Sequence, residues 1–198
     1  IALLTTDGME DHYDWFDKDI GAVHDKLAHA FKGKQVNLIN WSKDRTRFVV
    51  DVESGDAPPT YYLLDSTAKS LSPLGDVYPE LKGVALGHKT YFTYKAADGL
   101  EIPAYLTLPA GAPATGGKLP LIVMPHSGLA SRDNASFDWW AQFLATRGYA
   151  VLQPQFRGSG GFGRAFEDAG RKEWSGKMQT DLLDGVHAER ADGIGHAR

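Results

Sequence analysis

The 198-residue chain contains no cysteine. That excludes a disulfide framework, a thiolate nucleophile, a zinc–thiolate site and an iron–sulfur cluster. No apolar run approaches the ~20 residues that a bilayer-crossing helix needs, so no membrane partner is expected. Basic charge is not in excess either. The 21 Lys and Arg stand against 25 Asp and Glu, and the pI is near 6.0. A nucleic-acid partner, which wants a basic face, is therefore not expected. The opening Ile1-Ala2-Leu3-Leu4 has no initiator Met and no basic segment ahead of an apolar stretch. No targeting signal is readable there, the natural start is expected upstream, and the compartment is left open. A last absence bears on chemistry: none of the ten serines has Gly at both −2 and +2. The strained G-x-S-x-G turn that lifts a serine hydroxyl above a sheet is missing.

What is present falls into two halves. Up to residue 87 there are 14 acidic and 9 basic residues, and the charge balances thereafter. In the first half, Ile20, Val23, His24, Leu27 and Phe31 recur at helical spacing before Gly33, which predicts a helix over 17–31. Four short runs follow, 36–41, 47–53, 60–64 and 69–74, separated by tight polar turns. They predict a four-stranded antiparallel meander of the size of one propeller blade. The acidic stretch containing Asp7, Glu10, Asp11, His12, Asp14, Asp17 and Asp19 lacks the Gly and terminal Glu of a calcium loop. It is read as a solvated turn ahead of the helix, with no metal.

From residue 88 strands and helices alternate. Strands are predicted at 91–95 and 102–108 around an Asp98-Gly99 turn, then at 121–124 and 149–154. Helices are predicted at 136–147 and 178–191, the second with Leu182, Leu183 and Val186 on one face. At least one of Trp139 and Trp140 is expected in the core. An antiparallel hairpin leading into parallel strands with crossover helices is how an α/β-hydrolase begins. On that reading 149–154 is an edge strand with unpaired backbone, and the isolated chain is expected to be marginally stable or to aggregate.

Two loops could carry chemistry. Pro125-His126-Ser127-Gly128-Leu129 follows a buried strand, where open α/β sheets place ligands. A plain strand-to-helix turn with a surface histidine is the competing reading. Gly158-Ser159-Gly160-Gly161-Phe162-Gly163 fits the G-x-G-x-x-G dinucleotide pattern literally. It is read instead as a flexible loop, because Glu167, Asp168, Arg171, Lys172 and Glu173 crowd the sequence where a second buried strand would have to lie. Arg157 has two readings: fixed by a carboxylate of the protein, or facing a substrate carbonyl or carboxylate with its planar fork.

The second half resembles the prolyl oligopeptidase family of serine peptidases, its acylaminoacyl-peptidase and dipeptidyl-aminopeptidase branch in particular. The matching segments are 98–109, 119–128, 147–152, 156–163 and 174–184, in family order. The first half resembles the end of the β-propeller that precedes the hydrolase domain. The resemblance implies an α/β chain in which 1–80 ends a propeller and 81–198 begins an α/β-hydrolase domain. It implies hydrolysis of short peptides through an acyl-enzyme, with no cofactor. His126-Ser127-Gly128-Leu129 stands where the family usually has His-Gly-Gly-Pro. It implies an oxyanion-side loop at His126, Ser127 and Gly128, of which Ser127 departs from the pattern, as does Leu129. Arg157, Gly158 and Ser159 match a substrate-side loop. The Ser-Asp-His triad is expected beyond Arg198, so the chain reads as a fragment without it. A small esterase is disfavoured by the meander. A non-catalytic module is disfavoured by a chain that stops before a completed sheet. Peptide preference and oligomeric state are not readable.

Overall fold

The computed structural model describes residues 2–7, 10–115, 117–128 and 130–195. The chain divides into two units, Ile1–Val84 and Ala85–Arg198. In the first, strands β1 (Ala2–Asp7) and β2 (Glu10–Trp15) pair antiparallel. The acidic stretch read as a turn is therefore a β-hairpin. Its alternating Tyr13 and Trp15 stack on each other, and both rings meet the buried His24 of the following helix. That helix, α1 (Lys18–Ala30), starts where Asp17 accepts from the amides of Asp19 and Ile20. This is the usual side-chain answer to unpaired amides at a helix start.

The meander is present: β3 (Gln35–Trp41), β4 (Arg47–Ser54), β5 (Ala57–Asp65) and β6 (Ser70–Asp76) lie in that order, all antiparallel. Ile20 and Leu27 of α1 pack with Val36, Phe48, Val50 and Val52. The period-2 alternation of β4 puts its last three on one face. The far edge, β6, is exposed along its whole length.

In the second unit, β7 (His88–Lys95), β8 (Glu101–Leu108), β9 (Leu121–Val123), α2 (Trp139–Ala145), β10 (Ala150–Pro154), α3 (Arg164–Asp168) and α4 (Lys177–Ala191) follow in sequence. The spatial strand order is β7-β8-β10-β9. β10 pairs antiparallel with β8 and parallel with β9. This corrects the expectation that 149–154 forms an edge. The crossover through α2 returns the chain between β8 and β9, so β10 is central and buried at every residue, while β9 is the edge. With only three residues, β9 offers a short edge, and the expected source of aggregation is correspondingly smaller.

The two faces of this sheet differ. Ile102, Ala104, Leu106, Leu108, Ala150 and Leu152 form the apolar face together with Tyr94 and Ile194. Helix α4 closes on that face, with Leu182 and Val186 half-buried. Its buried positions are Met178, Asp181, Gly185 and Glu189, and Leu183 is 58% exposed. Gly185 explains the approach. A Cβ there would lie 2.9 Å from the Tyr94 ring and 3.1 Å from Leu152. Gly185→Ala is therefore expected to cost about 1–3 kcal/mol by overpacking, despite the ~1 kcal/mol that Ala normally brings to a helix interior. Urea unfolding checks this.

On the other face α2 buries Ala141, Gln142 and Ala145. Trp139 and Trp140 are 55% and 56% exposed, so neither is the core residue expected. Small side chains let this short helix sit close to the sheet, and its large aromatics point away.

Candidate active-site loops

The two candidate loops leave adjacent, parallel strands at their carboxyl ends, and backbone hydrogen bonds hold them together. The chain after β9 is tied to β10 once more by the Met124 amide on the Leu152 carbonyl, 2.8 Å. Further on, the Ala130 amide donates to Gly158 O and the Gly160 amide to Ser131 O, both at 3.0 Å. Gly160 permits that closeness, because a Cβ there would lie 2.4 Å from the Ala130 carbonyl oxygen. Gly128 has φ +81, a backbone conformation that suits glycine. Ser127 and Gly128 are exposed. Leu129 lies outside the described residues.

His126 is half-buried and stacks on Phe156, with ring centroids 4.4 Å apart and planes 19° apart. Its Nε2 is 2.8 Å from Ser159 Oγ. A serine and a histidine at that distance have the spacing of a catalytic pair, but the polarity is wrong. Ser159 Oγ donates to the Phe156 carbonyl at 2.6 Å, and the serine is fully buried. A carbonyl can only accept, so the hydroxyl proton is committed there and not to the histidine. Burial lowers the His126 pKa, partly offset by the backbone of Ser127. The ring is neutral at neutral pH.

Arg157 takes the first of its two readings. The residue is 4% exposed. Its Nε reaches both oxygens of Asp181 (3.1 and 2.8 Å), and its Nη2 reaches Asp181 Oδ1 at 2.8 Å. Its Nη1 and Nη2 hold the two oxygens of Asp98 at 2.8 and 2.9 Å. The Arg157 amide also donates to Asp181 Oδ2, 2.9 Å. Two carboxylates, one fully buried on α4 and one in the β7–β8 turn, thus grip one guanidinium bidentately. Hydrogen bonds from Arg157 and Lys177 hold the Asp98 carboxyl well below the usual carboxylate range. The fork is spent inside the protein rather than turned toward a substrate. The loop it anchors continues through Gly158, φ +97, whose Cα lies 2.5 Å from where a Gly170 Cβ would sit.

Beside the loops is an open cavity of about 270 Å³, lined by Pro125, His126, Gly128, Phe156, Trp174, Met178, Gln179 and Leu182. Its wall is mostly apolar and carries no ionised side chain. The arrangement can seat an uncharged group beside exposed backbone. Among the described residues no set of three or more His, Cys, Asp or Glu could hold a metal ion, and no helix is long and apolar enough to cross a membrane.

The structure therefore brings His126 and Ser159 together, sets Gly128 in the cavity lining and leaves Ser127 exposed beside it in the chain. It sends Arg157 to a different set of partners. Asp98 and Asp181, which complete that clamp, were not predicted. Asp98 was read only as a turn residue and Asp181 only as a helix residue, and nothing in local spacing pairs them across 59 and 24 positions with Arg157. Phe156 and Trp174 were likewise not assigned to the site.

Residues 135–196 match the Prolyl oligopeptidase family. The chain is 34% identical to Dipeptidyl aminopeptidase BIII of Pseudoxanthomonas mexicana over 98% of its own length and 29% of that protein. It is 35% identical to Dipeptidyl peptidase family member 6 of Caenorhabditis elegans over 80% of its length and 24% of the relative. Among solved structures, a puromycin-hydrolyzing peptidase of Mycobacterium tuberculosis superposes with a TM-score of 0.63 at 25% identity, over 76% of this chain and 24% of that one. The chain is thus similar to peptidases of the prolyl oligopeptidase family, whose model its residues 135–196 match. It spans less than a third of the length of these relatives.

Proposed function

We propose that this chain contributes the oxyanion-side and substrate-side loops of a serine peptidase acting on short peptides. The carrying observation is the pair of loops at neighbouring strand ends, knit into one wall beside an uncharged cavity. In this reading residues 1–80 are the closing part of a β-propeller and 81–198 the opening part of an α/β-hydrolase domain. The four-stranded meander and the mixed sheet with its crossover support the assignment.

The chemistry follows from that placement. A serine outside this chain attacks the peptide carbonyl. The carbonyl oxygen gains negative charge, and backbone N–H groups of the loop at Ser127 and Gly128 receive it. One such donor is worth roughly 3–4 kcal/mol of transition-state stabilisation in acyl transfer. The amine then leaves with a proton from the general acid, and water releases the acyl group. The loop at Arg157, Gly158 and Ser159 forms the substrate-side support, with Arg157 as its internal anchor. No cofactor enters these steps.

The test compares two proteins on a chromogenic dipeptidyl amide. A chain continuing through the sequence after Arg198 is expected to hydrolyse it, while the 198-residue chain gives no turnover. Turnover by the 198-residue chain, or none by the longer one, contradicts the proposal.

A further inference from the structure

We propose that His126 is a positioning residue, locked as its Nε2–H tautomer by Ser159, and that this latch sets the conformation of the loop carrying Ser127 and Gly128. The inference rests on the reading of that loop as the oxyanion side, and goes beyond it by giving the histidine and the serine defined, non-proton-transferring roles.

The argument is a proton count. Ser159 Oγ carries one proton and spends it on the Phe156 carbonyl at 2.6 Å. The 2.8 Å contact between Ser159 Oγ and His126 Nε2 then needs a proton from the ring. A neutral imidazole has one N–H, so Nδ1 is left bare. Nδ1 is enclosed and has no hydrogen-bond partner among the described residues. A second ring proton would therefore be enclosed without a good acceptor, which opposes the imidazolium form. Burial of the ring also opposes the imidazolium form, with the Ser127 backbone acting the other way and more weakly.

The ring's other restraint is the flat stack on Phe156, the residue whose carbonyl takes the serine proton. Ring, hydroxyl and carbonyl make a closed set of contacts between the two loops. The Ala130–Gly158 and Gly160–Ser131 backbone bonds repeat the connection further along. Behind them, Asp181 and Asp98 fix Arg157 between Phe156 and Gly158. Orientation thus passes from the buried Asp181 on α4, through Arg157 and Ser159, to His126 and the exposed backbone beyond it. A bare, outward-tied imidazole cannot donate to an oxyanion, so this histidine serves the backbone donors by holding them.

The experiment uses the 198-residue chain labelled with ¹⁵N-histidine. Long-range ¹H–¹⁵N spectra at neutral pH are expected to show His126 as the pure Nε2–H tautomer. In Ser159→Ala the tautomer preference is lost. Hydrogen exchange of the Ala130 and Gly160 amides accelerates roughly tenfold, the scale of one hydrogen bond lost. The β10 amides of Val151 and Leu152 stay unchanged, which shows that the sheet is intact. His126→Gln, which keeps an N–H donor of similar reach, retains the Ala130 and Gly160 protection, and His126→Leu loses it. In a longer chain with peptidase activity, Ser159→Ala lowers kcat at constant KM and leaves the limbs of the pH profile in place.

An Nδ1–H tautomer, unchanged exchange in both Ser159→Ala and His126→Leu, or a displaced pH limb overturns the latch. Absence of peptidase activity in the longer chain removes the functional reading instead. The tautomer and exchange results then still decide whether the latch exists.

Discussion

Asp181→Ala is expected to destabilise the chain by about 3–5 kcal/mol, the usual consequence of removing one partner from a buried ion pair. Asp181 is fully buried and Arg157 nearly so. Truncation removes four hydrogen bonds from Arg157, one of them to its backbone amide. The guanidinium stays in place with only the half-exposed Asp98 as counter-ion. Asp98→Asn should cost distinctly less, because Asp98 reaches solvent and Asp181 remains. Replacing both charges with apolar residues, Arg157→Met with Asp181→Leu, should cost less than Asp181→Ala alone, since no uncompensated charge is left inside. Urea unfolding of the three variants decides the matter. An Asp181→Ala loss below 1 kcal/mol would show that Arg157 is not clamped as described.

Stability is also expected to fall as pH rises from about 4 to about 7. Two buried carboxyls are responsible. Burial, reinforced by Asp192, pushes Glu189 up to about 7, and its Oε2 has no partner among the described residues. Burial pushes Asp133 up to about 6, with Lys89 opposing and Asp138 adding to the rise. The sign follows from proton uptake. Between the ordinary value and the raised one, the folded form keeps its proton and the unfolded form has released it. Raising pH therefore favours unfolding across that window, and the penalty is complete above the folded value. For Glu189 this amounts to roughly 3 kcal/mol at one pKa unit per 1.36 kcal/mol. Glu189→Gln should therefore gain most of that at pH 8, change little at pH 4, and flatten the profile. Thermal melts across the range, wild type against Glu189→Gln, measure it. A stabilisation that does not depend on pH would contradict the assignment.

Legibility tracked how local each interaction is. The meander, the β7–β8 hairpin and the buried run of β10 were readable, since alternation and turn residues act over a few positions, whereas 121–124, whose apolar run suggests a buried central strand, is a half-buried edge. The glycines at 128, 158 and 160 stood out in sequence, although only the fold shows that Gly160 is needed for contact with Ala130. The hairpin at the start was hidden because charge dominated the reading of a stretch whose strand signal is weaker. The buried face of α2 is not the one its tryptophans suggest, and hydrophobicity alone does not mark the buried positions of α4, because Gly185, Asp181 and Gln142 are buried through close approach and specific hydrogen bonds. At the site, His126 and Ser159 were both picked out from separate motifs. Their pairing across 33 positions, and the direction of the hydrogen bond between them, needed the structure. The position of β10 between β8 and β9 was also out of reach, because strand order is set by crossover and not by any run of residues.

The central claim is that this chain holds supporting loops and no activated serine. Its most direct test is treatment of the 198-residue chain with a fluorophosphonate probe, which reacts with activated serines, followed by mass mapping. The account predicts no adduct at Ser159, whose proton is tied to a carbonyl, and none at Ser127. Stoichiometric labelling at either would contradict it and make the His126–Ser159 pair, or the loop beside it, a working nucleophile.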